Sequence, residues 1–290
     1  MGELKISFLN VGHGDFIYCE TPYKERMIID CGSGEVVPSE FLKNISTIHE
    51  LQISHPHTDH FDDIVGISKK NIMSFRCINP EMFADNLIGW RNNDQDKIKK
   101  LKELDKSTVT NNDAITIGSE FNHVIKVPKI DSKDPNTASL ITILSYKEDK
   151  ILLTGDLPSK SWEEMLTDET FQNSIKGTTL LKASHHGREE GFYGGLFDFI
   201  KPTICIISDK PLDKDNENTD ARDKYGKAIK DGGGGLEFFK IIDGKSVGKR
   251  YVLTTRNDNS IFVKISENGL YIRTCTEWLD ESGSITNPKE

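Results

Sequence analysis

The sequence lacks the features that mark several classes of protein. Its five cysteines are widely spaced and form no CxxC pair, which argues against a disulfide framework and against a zinc ribbon. No stretch approaches the length of apolar residues that spans a bilayer, and the chain does not open with a basic segment followed by an apolar run. These absences predict a cytoplasmic protein with reduced thiols, no membrane span and no signal peptide.

Basic residues are also fewer than acidic ones. The chain has 37 lysines and arginines against 46 aspartates and glutamates, so its net charge is −9. That balance argues against a broad basic surface that grips nucleic acid through its phosphates. It leaves room for a local basic channel, or for a metal site that binds phosphate. Internal repeats are absent as well.

Histidine, by contrast, is concentrated in one turn, ISHPHTDHFDD, at residues 53–63. His55, His57, Asp59 and His60 occupy six consecutive positions there, in a chain with eight histidines. His55 and His57 are two residues apart at the end of a predicted strand, so both point to the same side. Two imidazoles, with a carboxylate and a third imidazole just beyond, suit two adjacent metal ions. The alternative interpretation is a solvated polar turn.

Two distant segments extend this pattern. Asp156 ends the apolar strand KILLTGD, although by itself it also fits an ordinary strand-end turn. His185 and His186 follow the apolar strand of TTLLKASHHG, where a lone histidine would usually be structural and a pair favours a metal site. All three segments lie at strand ends, which is where open α/β sheets place their ligands. The sequence therefore predicts a two-metal centre.

The order of these motifs resembles that of proteins with the metallo-β-lactamase fold: HxHxDH, then a strand-end Gly-Asp, then a strand-end histidine. That fold is an αββα sandwich with two metals at one edge of the paired sheets. The resemblance is closer to the soluble hydrolase domain of the ComEC-like competence proteins. Similar motifs in this chain read LNVGHGD, MIIDCGSG, PNTAS, LLTGD and KASHHGR, with the closing segment YVLTTRNDNSIFVKI. The resemblance extends from about residue 5 to residue 265.

The resemblance implies two divalent ions, Zn or Mn, held by six ligands. The first ion is assigned His55 and His57, the second Asp59, His60 and His185, and Asp156 bridges the two. Two residues are given catalytic roles: Asp59 positions the attacking hydroxide, and His186 either lies just outside the metal ligands or faces the substrate. Asp30 is implied to orient the ligands, with a simple polar strand end as the alternative.

Some positions depart from the family pattern. PNTAS, with Asn136 and Ser139, stands where many metallo-β-lactamase enzymes have a further histidine for the first metal. His123 could replace it, but FNHVIKV reads as a strand and favours a structural histidine. His13 replaces a glutamine, as an added ligand, a substrate contact or a tolerated turn residue. Arg188 replaces a serine and could bind a phosphate through both guanidinium nitrogens, or have no role as a surface arginine.

The chain is predicted to form one α/β domain over residues 1–290, an αββα sandwich. Residues 210–235, rich in charge and ending in four glycines, are expected to be an exposed excursion, and a tail is expected from about residue 277. DQDKIKKLKELDK, from Asp94 to about Lys106, predicts a surface helix. RYVLTTR and SIFVKIS predict a closing hairpin around NDN.

These features predict a metal-dependent hydrolase. Two ions about 3.5–4 Å apart lower the pKa of a shared water toward about 7, so no nucleophilic side chain is needed. The resemblance favours phosphodiester substrates, that is nucleic acid or nucleotides. Hydrolysis of a lactone, thioester or amide by the same site is the alternative within enzymes. A non-catalytic, metal-stabilised subunit of a larger assembly, such as a defence system, is the alternative outside them. The sequence gives no protein partner or oligomeric state.

Overall fold

The computed structural model describes residues 2–79, 82, 94–104, 114–117, 121–131, 133–212, 219–240, 245–274 and 278–279. The strands in chain order are β1 (Leu4–Phe8), β2 (Ile17–Glu20), β3 (Arg26–Ile29), β4 (Thr47–Ile48), β5 (Glu50–Gln52), β6 (Asn71–Ile72), β7 (Phe75–Arg76), β8 (Ala114–Ile117), β9 (Phe121–Lys126), β10 (Ile141–Tyr146), β11 (Asp149–Leu153), β12 (Leu180–Lys182), β13 (Ile204–Ile207), β14 (Leu236–Lys240), β15 (Ser246–Arg250), β16 (Val252–Thr254), β17 (Ile261–Ser266), β18 (Gly269–Thr274) and β19 (Trp278–Leu279). The helices are α1 (Pro38–Phe41), α2 (Thr58–Phe61), α3 (Ile64–Ile67), α4 (Gln95–Leu104), α5 (Ser159–Met165), α6 (Glu169–Ile175), α7 (Arg222–Asp231) and α8 (Thr255–Asp258).

The strands form two large sheets. The first has the order β15-β14-β19-β18-β17-β1-β2-β3-β5-β7, and the second has the order β16-β13-β12-β11-β10-β9-β8. A small separate pair joins β4 and β6. Neighbours β3, β5 and β7 of the first sheet are parallel, as are β11, β12, β13 and β16 of the second.

Apolar side chains between the two sheets form the central core, where Phe8 of β1 belongs to the same cluster as Leu144 of β10. The outer face of the second sheet is covered by α5, α6 and α7, through residues such as Trp162. The outer face of the first sheet is covered by α2, α3 and α4, through residues such as Phe61 and Leu101. Because β10 lies between core and helices, five of its six residues are buried. The predicted αββα sandwich is confirmed.

Strand register brings the site residues level with one another. Leu180 of β12 pairs with Ile151 of β11 and with Ile204 of β13, all in parallel. The residues five positions beyond these three therefore meet at the carboxyl edge of the second sheet: they are Asp156, His185 and Asp209. In the first sheet, the histidine turn follows β5 and Asp30 follows β3 at the corresponding edge.

Two sequence expectations differ from the structure. The closing segments do not pair with each other, because α8 intervenes and sends β16 to the second sheet and β17 to the first. β17 instead forms its hairpin with β18. Within the expected excursion, residues 222–231 fold into α7, which buries Tyr225 and Ile229 against the second sheet. Residues 213–218 of that segment, and the tail beyond 279, lie outside the described residues.

The helix expected after Asp94 and the expected buried thiols agree with the structure. The segment from Asp94 contains α4, whose Leu101 is buried, and residues 105–106 lie outside the described part. Cys19, Cys31, Cys77 and Cys205 are buried and unbridged, and Cys275 is not described. Among the helices that the structure describes, none has the length and apolarity to cross a membrane.

Candidate metal centre

Four side chains converge where the carboxyl edges of the two sheets meet. Asp59, His60, Asp156 and His186 each offer one donor atom, and these atoms all lie within 4.8 Å of one another. His186 Nε2 is 3.2 Å from both Asp59 Oδ2 and Asp156 Oδ2, and His60 Nε2 is 3.4 Å from Asp156 Oδ2. Three of the four are buried, whereas the Asp59 side chain is 27% exposed. Asp59 therefore forms the open side of the cluster.

The backbone around Asp59 depends on two glycines. A Cβ atom at Gly14 would lie 2.3 Å from the Asp59 carbonyl oxygen, and one at Gly32 would lie 2.1 Å from it. Both distances are far inside van der Waals contact, so neither position has room for a side chain. The VGHGD turn and the segment after β3 can thus pack directly on the turn that carries Asp59 and His60.

Asp30 fixes the orientation of His60. Its carboxylate accepts hydrogen bonds from the Ser54 backbone amide at 2.6 Å and from Ser54 Oγ at 2.8 Å. It lies 2.7 Å from His60 Nδ1. Because Nδ1 is engaged in this way, Nε2 of the same ring points into the cluster. Asp30 has the orienting position that the resemblance implies.

Asp156 lies at the centre of a wider histidine set. Its Oδ2 is 3.8 Å from His55 Nε2 and 3.9 Å from His185 Nε2, in addition to the contacts with His60 and His186. His57 adjoins His55, with 3.0 Å between His57 Nδ1 and His55 Nε2. The structure therefore brings all six expected ligands into one place, with His55, His57 and His185 outside the four-residue cluster.

The two neighbouring histidines differ from their expected places. The resemblance assigns His185 to the second metal and places His186 outside the ligands or toward the substrate, but the structure brings His186 to Asp59 and His60. The reason is local: His186 Nδ1 bonds the Ser208 carbonyl at 3.0 Å, which turns Nε2 inward. His185 is partly exposed, and its Nδ1 is 3.6 Å from Glu190. His185, His186 and the following Gly187 all have positive φ, at 49°, 50° and 73°.

A family model described as the metallo-beta-lactamase superfamily matches residues 16–185, which include β2 through β12 and the histidine turn. The chain belongs to the metallo-beta-lactamase superfamily. This is a superfamily of metal-dependent hydrolases, and its members typically bind divalent metals.

Solved structures share the metallo-beta-lactamase fold at low identity. Igni18, a novel metallo hydrolase from the hyperthermophilic archaeon Ignicoccus hospitalis, is 11% identical, with a TM-score of 0.52 over 89% of this chain and 98% of that one. A mutant of the CmlA beta-hydroxylase is 12% identical, with a TM-score of 0.51 over 80% of this chain and 51% of that one. At such identities the likeness shows the fold alone. No curated protein sequence matches the chain.

The residues of this metallo-beta-lactamase centre fit a divalent cation. His60 Nε2, His186 Nε2 and Asp156 Oδ1 are buried, and within the described residues none of them makes a hydrogen bond. The two imidazole nitrogens approach Asp156 without hydrogen-bond geometry, so their donor atoms face a common point. Buried polar atoms of this kind call for a partner, and a cation would satisfy all of them. A mixed set of imidazoles and carboxylates suits Zn or Mn.

Electrostatics divides the site histidines into two groups. Burial lowers the pKa of His60, but the carboxylates Asp156 and Asp30 outweigh burial and raise this pKa well above its usual value. Burial also lowers the pKa of His186, but Asp156 and Asp59 outweigh burial and raise this pKa to about 10. Burial lowers the pKa of His55, and it does the same for His57 and His185. The metal-free cluster therefore carries protons on His60 and His186 near neutral pH.

Burial would raise the carboxylate pKa values, but imidazoles outweigh it. His60 and His186 hold the pKa of Asp59 below its ordinary range, and the same two rings hold that of Asp156 well below. Both carboxylates are thus ionised at neutral pH and available as metal ligands.

Metal affinity is expected to rise with pH. A cation that binds Nε2 of His60 and His186 displaces their protons, and these protons become easier to remove as pH approaches about 10, the pKa of His186. The affinity for Zn or Mn should increase roughly tenfold per pH unit for each proton displaced. Isothermal titration calorimetry at two pH values, in buffers of different ionisation enthalpy, measures both affinity and proton release. An affinity independent of pH, with no proton release, would contradict this assignment.

His13 stands at the mouth of the site. Its ring is 44% exposed, with Nε2 3.5 Å from Asp59 Oδ2 and Nδ1 3.6 Å from Asp209 Oδ1. Asp209 is fully buried, and Arg256 Nη1 donates to its Oδ2 at 3.0 Å. Sequence reasoning named His13 but missed Asp209. The available signal was its position at the end of the strand PTICIISD, which matches that of Asp156 in KILLTGD.

Arg188 does not offer its guanidinium to a ligand at the mouth. Its side chain is 11% exposed, and Nη2 donates to Asp209 Oδ1 at 2.9 Å. The expectation that Arg188 binds phosphate through two nitrogens is therefore not met. Its structural role is to hold Asp209, together with Arg256.

Lys182 is the second residue that sequence reasoning missed, although it is the lysine of the KASHHGR motif. It is fully buried beneath the cluster, and its ammonium pairs with the buried Asp15. Despite burial, Asp15 and Asp156 raise the pKa of Lys182, so the lysine is charged. It offsets part of the negative charge that Asp15, Asp30 and Asp156 bring to one buried place.

The PNTAS segment lies against the site, as expected, in the place of the missing histidine. Ser139 Oγ accepts a hydrogen bond from the Asp156 amide at 2.9 Å and so holds the backbone that carries this carboxylate. Asn136 Oδ1 is buried and has no hydrogen-bond partner within the described residues. His123 lies elsewhere, on β9, with Nδ1 3.6 Å from Glu50, in agreement with a structural histidine.

Proposed function

We propose that this protein is a metal-dependent phosphodiesterase that hydrolyses nucleic acid or nucleotides with the help of two divalent ions, Zn or Mn. The observation that carries the proposal is the cluster of Asp59, His60, Asp156 and His186, open on the Asp59 side beside His13. When bound there, divalent ions supply Lewis acidity and an activated water.

Each residue of the site would have its own part in this reaction. His60, His186 and Asp156 are buried and would hold one ion, while His55 and His57, with Asp156 shared, would hold the other. Asp59 would accept a hydrogen bond from the attacking water and orient it toward the phosphorus. His13, on the exposed side of Asp59, would donate a hydrogen bond to a substrate oxygen.

The protein side chains near the site support attack by water. Cys31 follows Asp30, but burial and the neighbouring carboxylates raise its thiol pKa well above the usual value, so it is not a thiolate nucleophile. The chain has a GxSxG pattern at residues 244–248, but its Ser246 begins β15, is exposed and bonds Glu237. A nucleophile elbow places its serine in a strand-to-helix turn, whereas Ser246 lies in a strand.

The choice of phosphodiesters rests on the resemblance to ComEC-like domains, now with a physical basis for two of the shared motifs. The VGHGD turn packs its glycine on Asp59 and projects His13 at the mouth. The lysine of KASHHGR supplies the buried positive charge beneath Asp156. Lactones, thioesters and amides would use the same cluster, so substrate class has to be measured.

The test is a substrate panel with the purified protein and added Mn or Zn. Hydrolysis of bis-p-nitrophenyl phosphate, single-stranded DNA or RNA is expected, and Asp59→Asn should remove it while leaving the fold intact. If all three phosphodiesters remain whole while a lactone or thioester is cleaved, the substrate class is wrong. If nothing is cleaved and Asp59→Asn retains the biological effect, the protein is a non-catalytic subunit.

His13 should contribute to turnover and not to metal binding. His13→Ala removes the hydrogen bond to the substrate, and a bond to a charged oxygen contributes about 1.5–3 kcal/mol, so kcat/KM should fall roughly 10- to 100-fold. His13→Gln keeps a donor and should recover much of this loss. Steady-state kinetics and metal analysis on both variants decide the matter: loss of metal in His13→Ala would make His13 a ligand instead.

A further inference from the structure

A groove on the surface runs between α7 and the strands β15 and β16. Its volume is about 530 Å³. Five of the side chains that line it are cationic: Arg222, Lys227, Lys230, Lys249 and Arg250. Only two acidic side chains, Asp223 and Asp231, line it as well. In a chain with a net charge of −9, this is a local reversal of sign.

Part of this charge is already neutralised within the protein. Lys227 pairs with Asp231, and Arg250 Nη2 lies 3.1 Å from both carboxylate oxygens of Asp258. Arg222, Lys230 and Lys249 form no ion pair within the described residues. Against the one remaining carboxylate in the lining, Asp223, these three cations leave the groove with a net positive charge.

The three cations are spaced along the groove. Arg222 and Lys230 are eight residues apart on α7, two turns along the same face, with Gly226 midway between them. Lys249 faces them from β15. Gly226 has no side chain to fill the floor, so an elongated ligand can lie against the helix between the two cations.

An aromatic ring accompanies the cations. Tyr251 lines the groove, and the Lys249 ammonium lies 5.9 Å from the centre of its ring. Cations that follow a backbone, combined with an aromatic face on which bases stack, are what proteins use to bind single-stranded nucleic acid. A small phosphate would need neither the length nor the ring.

Backbone hydrogen bonds tie one end of the groove to the loop that carries the site histidines. Arg222 directly follows Ala221, whose amide donates to the Gly187 carbonyl at 2.8 Å, and Gly187 follows His186. The preceding Asp220 accepts a hydrogen bond from Arg256 Nη2 at 2.6 Å. The start of α7 is thus tied to the loop that carries the site histidines.

We infer that this groove binds the backbone of single-stranded nucleic acid and leads the strand to the metal centre. The inference rests on the proposed function, since it assigns the substrate of that site to a polynucleotide. It also accounts for how an acidic protein holds a polyanion: the contact is confined to one channel.

The test compares two variants with the same change in net charge. The variant Arg222→Glu/Lys230→Glu reverses the charge of two residues in the groove. The control, Lys43→Glu/Lys69→Glu, reverses the charge of two exposed lysines outside it. Binding of a labelled, hydrolysis-resistant phosphorothioate oligothymidylate to the metal-loaded protein is followed by fluorescence anisotropy over a salt series. The groove variant should bind roughly tenfold or more weakly, and the salt slope should fall by about 1.4, or 0.7 for each lost contact. The control should change little.

Further measurements keep the result interpretable. Thermal melting shows whether each variant is folded, and the neutral variants Arg222→Gln and Lys230→Gln should each give a smaller loss of affinity in the same direction. Equal loss in the groove variant and the control, or no binding of oligothymidylate by the wild type, would overturn the inference. Equally tight binding of polyglutamate would also overturn it, because the groove would then recognise charge alone.

Failure of the groove and failure of the proposed function give different results. Bis-p-nitrophenyl phosphate is too small to need the groove, so its hydrolysis should be the same in the groove variant and the wild type. If hydrolysis is retained but oligonucleotides do not bind, the protein is a phosphodiesterase and the groove is not its binding site for nucleic acid. Absence of any phosphodiester hydrolysis removes the proposed function itself.

Discussion

Asp156→Asn should abolish metal binding and lower hydrolysis by at least roughly 100-fold, more than the loss typical of a residue that only supports a ligand. Asp156 Oδ2 lies within 3.9 Å of His55, His60, His185 and His186, and among the described residues no other carboxylate contacts as many of the site histidines. The amide is nearly isosteric but removes the negative charge that these imidazoles and a cation share. Metal content of the purified variant and its kcat/KM give the two measurements.

Asp62→Asn is the matched control for this loss. Asp62 is three residues from Asp59, but its carboxylate points away from the cluster and pairs with Lys97 on α4. The metal content and turnover of the Asp62→Asn variant should equal those of the wild type. Full metal occupancy in Asp156→Asn would show that the cluster binds its ions without this carboxylate, and the site assignment would fall.

Lys182→Met should lower the free energy of unfolding by roughly 3–5 kcal/mol, the usual result of removing one partner of a buried ion pair. The lysine is fully buried with Asp15, and its charge also faces Asp156. Without it, three buried carboxylates remain close together with less positive charge to offset them. Urea denaturation of the metal-free protein measures the change.

A second variant separates lost charge balance from lost packing. In Lys182→Met/Asp15→Asn the uncompensated carboxylate is gone, so part of the stability should return. Lys69→Met, at an exposed position, should change stability by no more than about 0.5 kcal/mol. A change below about 1 kcal/mol in Lys182→Met, or no recovery in the double variant, would show that the pair does not stabilise the site.

Much of the fold was predictable because the strong signals are local. Alternating or continuous apolar runs give the strands, and the strand ends carry the chemistry, so Asp156 and the histidine turn could be placed at one edge. The sheets to which β16 and β17 belong could not be predicted, because sequence periodicity does not say to which sheet a strand belongs. The four residues of α8 decide it, and their effect appears only in three dimensions.

The same limit applies to the site. Spacing indicates that a histidine pair follows β12, but which ring turns inward depends on the carbonyl of Ser208, the residue after β13, and β13 pairs with β12 only in space. Arg188 looks like an available cation in the sequence, yet it is engaged by Asp209, which is also distant along the chain. Long-range partners, and not residue type, settled both roles.

The backbone at His185, His186 and Gly187 bears on how the chain evolved. Residues other than glycine in this left-handed conformation are unfavourable by roughly 1–3 kcal/mol each, and glycine or asparagine would relieve that strain. Selection for stability alone would therefore favour replacement of the two histidines. A metal centre that uses Nε2 of His186 gives a reason to keep histidine there despite the strain.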